Sequence, residues 1–189
     1  MPTLTEINYA VQGLWRLVHL DERGLEYFDR SLSGFWRSFQ VAFLVAPAEA
    51  LLFTTIIQYV PLGSSWSRIL LIEILKYIVA WFIYPVASFE LCRWLQRSEA
   101  YVGYIVVYNW SAIIGYGVLL LAYGPLMLGW ASLEQAIVFG SLARLLWYAY
   151  LWFLARRALN VDGLMAGGFI LLDFLLSRIL DAITYRMML

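Results

Sequence analysis

Five apolar stretches, each about as long as the ~20 residues an α-helix needs to cross the hydrocarbon of a bilayer, take up most of this 189-residue chain. They run near 36–60, 67–92, 101–123, 131–155 and 163–185. Hydrophobic residues make up 63% of the chain and charged residues 14%, with a mean hydropathy of +0.74. Soluble domains carry roughly a quarter of their residues as charges, so this is not one of them. In hydrocarbon every backbone polar group must be satisfied within its own segment, which leaves an all-α integral membrane protein of five transmembrane helices.

Ionisable side chains interrupt those stretches. Glu49, Glu73, Lys76, Arg144, Asp173 and Arg178 all fall inside predicted spans, three acidic and three basic. A lone charge at the bilayer centre costs from ~2.5 kcal/mol on insertion scales to more than ~10 in simulation, so the six are expected to face one another as an intramembrane charge network. Counting 1.5 Å per residue from the span ends puts Arg144 and Asp173 both at a depth of ~15 Å, on consecutive antiparallel helices, and predicts that they pair. Glu49, Lys76 and Arg178 come out at ~20 to 24 Å, with Glu73 and Asp181 deeper. Glu73 and Lys76 share one helix face, as do Arg178 and Asp181. The neutral set reads first as glue between helices and second as a path for a proton, ion or solute. Glu49, beside Pro47, is the candidate for a group left unpaired.

Residues 1–34 are too polar to span and are expected to form an interfacial unit ahead of a transmembrane domain at 35–189. Leu4, Ile7, Val11, Leu14 and Val18 recur at three- and four-residue steps and predict an amphipathic helix over Thr3 to Leu20. Asp21-Glu22-Arg23-Gly24 breaks it, and Leu25, Phe28, Leu32, Phe35 and Phe39 mark a second amphipathic stretch. Trp15, Trp36, Arg30 and Arg37 suit the headgroup layer, so the segment is expected to lie along the membrane surface. It has no continuous apolar core before a small-residue site, and no cleavable signal is expected. Arg16, Arg23, Arg30, Arg37, Arg93, Arg97, Arg156 and Arg157 fall on one side of the five crossings and only Arg68 and Arg186 on the other. The positive-inside rule then places the amino terminus in the cytoplasm and the carboxyl terminus outside.

Turn chemistry at Pro61-Leu62-Gly63-Ser64-Ser65 and at Gly124-Pro125 marks two connections, and Pro47 and Pro85 should kink their helices. Gly163 and Gly167 make a small-xxx-small pair suited to close helix packing, and Asn109 and Ser111 should hydrogen-bond between helices.

Much chemistry is excluded. Thirteen basic and thirteen acidic residues leave no net charge to attract nucleic acid. Cys92 is the only cysteine and His19 the only histidine, so neither a disulfide nor a metal-ligand set can be assembled, and no metal or cofactor is expected. Nucleophile elbows, phosphate loops and HExxH patterns are absent, which argues against an enzyme.

The layout of an amino-terminal segment, five closely spaced spans and an external carboxyl terminus resembles that of the Yip1-domain membrane proteins, particularly their short bacterial relatives. The likeness extends over residues 28–185, with local matches at Tyr101-Val102-Gly103-Tyr104, Asn109-Trp110 and Gly115-Tyr116. It implies a non-enzymatic, membrane-organising or accessory role in a bacterial inner membrane, with the lipid bilayer and other membrane proteins or a second copy as partners. A small transporter or channel using the buried charges is the alternative. An enzyme acting on lipid through carboxylates alone comes third.

Overall fold

Helix is the only secondary structure that such apolar stretches can adopt singly in lipid, and helix is what the computed structural model shows. It describes residues 3–61 and 63–189, and no strand occurs among them. Seven α-helices follow in order: α1 (Leu4–Val18), α2 (Leu32–Ser38), α3 (Val41–Ile57), α4 (Trp66–Trp94), α5 (Ser98–Met127), α6 (Leu133–Ala158) and α7 (Gly163–Met188), with a 3-10 helix at Glu22–Tyr27 between the first two. Five stretches are long and apolar enough to cross a membrane, α2 and α3 together (Leu32–Ile57) forming the first. The chain is therefore a polytopic membrane protein of five helical spans.

Local chemistry sets the ends. Thr3, Ser31 and Asp162 cap α1, α2 and α7 by accepting from backbone N–H groups. Ser132 and Gln135 form a reciprocal capping box at α6. The turn expected at Gly124-Pro125 does not form there. Helix α5 continues through Pro125 to Met127 and closes at Gly129, whose φ of +72° is the left-handed conformation that glycine adopts most readily. In the connection between α3 and α4, Leu62 lies outside the described residues. Ser64 there donates to the Met188 carbonyl, so the carboxyl terminus lies beside that connection.

Helix α1 is amphipathic, but its buried stripe is Ala10, Gly13, Leu14 and Leu17, about a quarter turn from the expected one. The reason is small-residue packing. A Cβ on Gly13 would meet Phe28 at 2.7 Å and the Gly24 carbonyl at 2.9 Å, so the helix docks on the face where it can come closest. Leu4, Val11, Trp15 and Val18 are left as an exposed apolar stripe alongside. Leu14, Leu17, Leu25 and Phe28 share one core with Val41, Tyr84, Tyr104, Trp110, Leu154 and Phe169 of α3 to α7. Ion pairs Glu6–Arg37 (3.1 Å) and Glu22–Arg157 (3.2 Å) also tie the segment to the bundle. In the loop after α1, Asp21 accepts from Arg23 and Arg16, and the Arg23 guanidinium foremost holds its carboxyl down to about 2.

Away from the amino-terminal helices the core divides in two. Leu52, Tyr123, Leu126 and Ala136 join α3, α5 and α6. Ile69, Ile72 and Met188 join α4 and α7, with Phe53 and Ile57 of α3 against them. Helix α3 thus touches both halves, and α6 and α7 part from each other.

Candidate functional site: a charged cleft within the spans

The parting holds a cavity of about 330 Å³, lined by residues of α3 to α7. Five of the six intramembrane charges expected to meet do so in its wall: Glu49, Lys76, Arg144, Asp173 and Arg178. The sixth, Glu73, is buried just behind and bonds to Lys76. Asp181 lines the cavity as well, so the network has seven members and four of them are acidic.

Four of the seven form one chain of ion pairs. The Lys76 ammonium sits 3.1 Å from Glu73 on its own helix and 3.7 Å from Asp181 on α7. Asp181 in turn accepts from Arg178 at 2.5 Å, one turn away. The i,i+3 spacing explains both intrahelical pairs, and Lys76–Asp181 is the link that joins two spans.

The other three are differently placed. Asp173, only 7% exposed, accepts a 2.7 Å hydrogen bond from the Tyr108 hydroxyl of α5 and meets no cation within 4 Å. Glu49, one turn or less past Pro47 in α3, has Lys76, Glu73 and the Tyr116 hydroxyl as neighbours, and no ion pair closes on it. Arg144 is exposed on the cavity wall and, among the described residues, makes neither an ion pair nor a hydrogen bond.

The expected Arg144–Asp173 pair is therefore not formed. Helix α6 runs three residues beyond the expected end, to Ala158. Arg144 then lies about 21 Å from that end, whereas Asp173 lies about 15 Å from the start of α7, a mismatch of about one helical turn. Arg144 is level with Ser177 and Arg178 instead. The Tyr148 ring has Asp173, Arg178, Arg144 and Asp181 all within electrostatic reach, which places the unpaired cation and the unpaired acid around one spot.

Tyrosines line the floor. Tyr84 and Tyr104 hydrogen-bond through their hydroxyls, and Tyr84 stacks on Tyr108 with ring centroids 4.4 Å apart. Tyr101, Tyr104 and Tyr108 recur on α5 at three- and four-residue steps and so share one helix face, a periodicity visible in the sequence. Asn109 donates to Ser38 and Ser111 meets the Tyr150 hydroxyl, so both bond between helices as expected.

The glycine pair is split. A Cβ on Gly163 would come within 2.9 Å of Trp152, whose indole N–H donates to the Gly163 carbonyl, so this glycine is closely packed. Gly167 faces open space, with nothing within 4 Å of its would-be Cβ, and packs no helix of this chain. The tightest glycine between spans is Gly140, against Tyr123.

No three or more histidine, cysteine or acidic side chains converge on a possible metal position among the described residues. Comparison with family models, with curated proteins and with solved structures finds no match.

Proposed function

We propose that this polytopic membrane protein acts without catalysis, by engaging another membrane component in the cleft between α6 and α7, in the membrane-organising or accessory role that its resemblance to Yip1-domain proteins implies. One observation carries the reading. Arg144 and Arg178 are both exposed well inside their spans, where lipid cannot solvate them. Something polar must cover that surface. The arginine-rich end, with the amino-terminal helices, faces the cytoplasm in this proposal, by the positive-inside rule, and the membrane is a bacterial inner membrane.

The test is photo-crosslinking from Leu145 and Ile179, two exposed apolar residues next to the lining residues Arg144 and Arg178, in native membranes. Crosslinks from these sites that a control probe at Phe43, an exposed residue of α3, does not give would support occupancy of the cleft. Identical crosslinking at all three would refute it. A small transporter is the second reading, favoured by the cavity volume together with the unpaired Arg144. Proteoliposomes should then show solute or proton flux that Arg144→Gln abolishes. Absence of such flux alongside cleft-specific crosslinks leaves the non-catalytic binding role.

A further inference from the structure

Arg144 and Asp173 carry opposite charges, face the same cavity and are satisfied by no counter-ion within the chain. Their levels along α6 and α7 differ by about one turn of helix, ~5.4 Å, and no ion pair closes between them. A ligand that carried both an anion and a cation would satisfy the two together. A phosphate joined to an ammonium through a two-carbon bridge carries both charges on one small head. The planar guanidinium of Arg144 matches phosphate oxygens bidentately, and the Asp173 carboxylate accepts from an ammonium while keeping its bond from Tyr108.

The surroundings suit such a group. About 330 Å³ is at the low end of the range for small-molecule sites and holds a headgroup rather than a whole lipid. Trp147 and Tyr148 present rings on the same wall as Arg144. Next to the lining residues Arg144 and Arg178, Leu145 of α6 and Ile179 of α7 are 66% and 54% exposed, apolar surface that suits a hydrocarbon tail outside the cavity.

We propose that the cleft binds a phosphoethanolamine-type zwitterion, with its phosphate on Arg144 and its ammonium on Asp173. This rests on the cleft being an occupied site. It adds what occupies it, and the same chemistry could be supplied by a membrane phospholipid or by a water-soluble phosphodiester.

The test uses the full-length protein, delipidated in detergent, with native mass spectrometry after addition of phosphatidylethanolamine, phosphatidylglycerol or glycerophosphoethanolamine. A single phosphatidylethanolamine adduct is expected, in clear excess over phosphatidylglycerol. Losing one charge-assisted hydrogen bond should weaken it about ten- to hundred-fold in Arg144→Gln and in Asp173→Asn. Arg144→Lys should retain part of the binding, and Arg93→Gln, a change at the far end of α4, all of it. Displacement of the lipid by glycerophosphoethanolamine identifies the soluble head as sufficient. Failure to displace it identifies the membrane lipid as the source. Equal binding of phosphatidylglycerol, or an Asp173→Asn protein that binds as wild type, overturns the zwitterion. No adduct with any of the three overturns the ligand altogether, yet leaves the cleft-crosslinking result standing on its own.

Discussion

Lys76 is the one cation that links two spans through the charge chain, and its removal should be felt throughout the far half of the bundle. At an effective dielectric of about 20, unit charges at 3.1 and 3.7 Å attract by about 5 and about 4.5 kcal/mol before desolvation is subtracted. The second figure must be discounted further, because the Asp181 side chain is 42% exposed and also pairs with Arg178. The first is less screened, since the Glu73 side chain is only 9% exposed. Substituting Lys76→Met therefore leaves Glu73 buried without a counter-ion, and breaking such a pair costs about 3 kcal/mol or more. Glu73→Gln alone should cost less, because Lys76 keeps Asp181. The double substitution should recover most of the loss, giving a coupling of about 2 kcal/mol between the two positions. Unfolding of the protein in bicelles by SDS, followed by the fluorescence of its nine tryptophans, measures each corner of this cycle. Hydrogen bonds between spans average about 0.6 kcal/mol by the same kind of cycle. A coupling no larger than that would refute the claim that desolvated charge, rather than ordinary polar contact, holds Glu73 to Lys76.

Other expectations follow from neighbouring observations. Arg144→Leu removes a cation without a partner, so stability in the SDS titration should hold or rise by about 1 kcal/mol, where loss of a true ion pair would lower it by about 3. Gly140→Ala should destabilise by about 1 to 3 kcal/mol, since the added Cβ would lie 2.6 Å from the Tyr123 hydroxyl. Gly167→Ala, with nothing within 4 Å, should instead stabilise α7 by up to about 1 kcal/mol in the same assay. Asp21, held at about 2 by Arg23, supports the amino-terminal fold fully above the ordinary carboxylate range, and that support is lost as the pH falls from about 4 towards 2. Pepsin should therefore clip the segment between α1 and α2 progressively faster across that window. In Asp21→Asn the clipping should already be fast at pH 5 and the window should vanish; an unchanged pH profile would remove Asp21 from the account.

The spans were legible because length and apolarity are properties of a segment, and errors of two or three residues at an end leave them intact. Pairing was not legible for the same reason reversed. Three residues misplaced at the end of α6 move Arg144 by about 4.5 Å along the helix and most of a turn around it, enough to separate it from Asp173. Intrahelical pairs escape this problem, which is why Glu73–Lys76 and Arg178–Asp181 could be read from spacing alone. The Tyr108 bond to Asp173 depends on how α5 turns against α7, which no local pattern encodes. Similarly, the docking face of α1 was decided by Gly13 meeting Gly24, a contact between two residues whose importance lies in having no side chain.

A bundle whose interior is undivided at one end and split at the other is stiff where α1 clamps it and compliant where α6 leaves α7. The two lobes at the compliant end, α3 with α5 and α6 and α4 with α7, are joined through α3, whose Phe53 and Ile57 pack against Ile69, Ile72 and Met188. Lateral tension or a thinner bilayer would act on that fork first. The width of the gap then becomes a quantity set by the surrounding membrane as much as by the polypeptide.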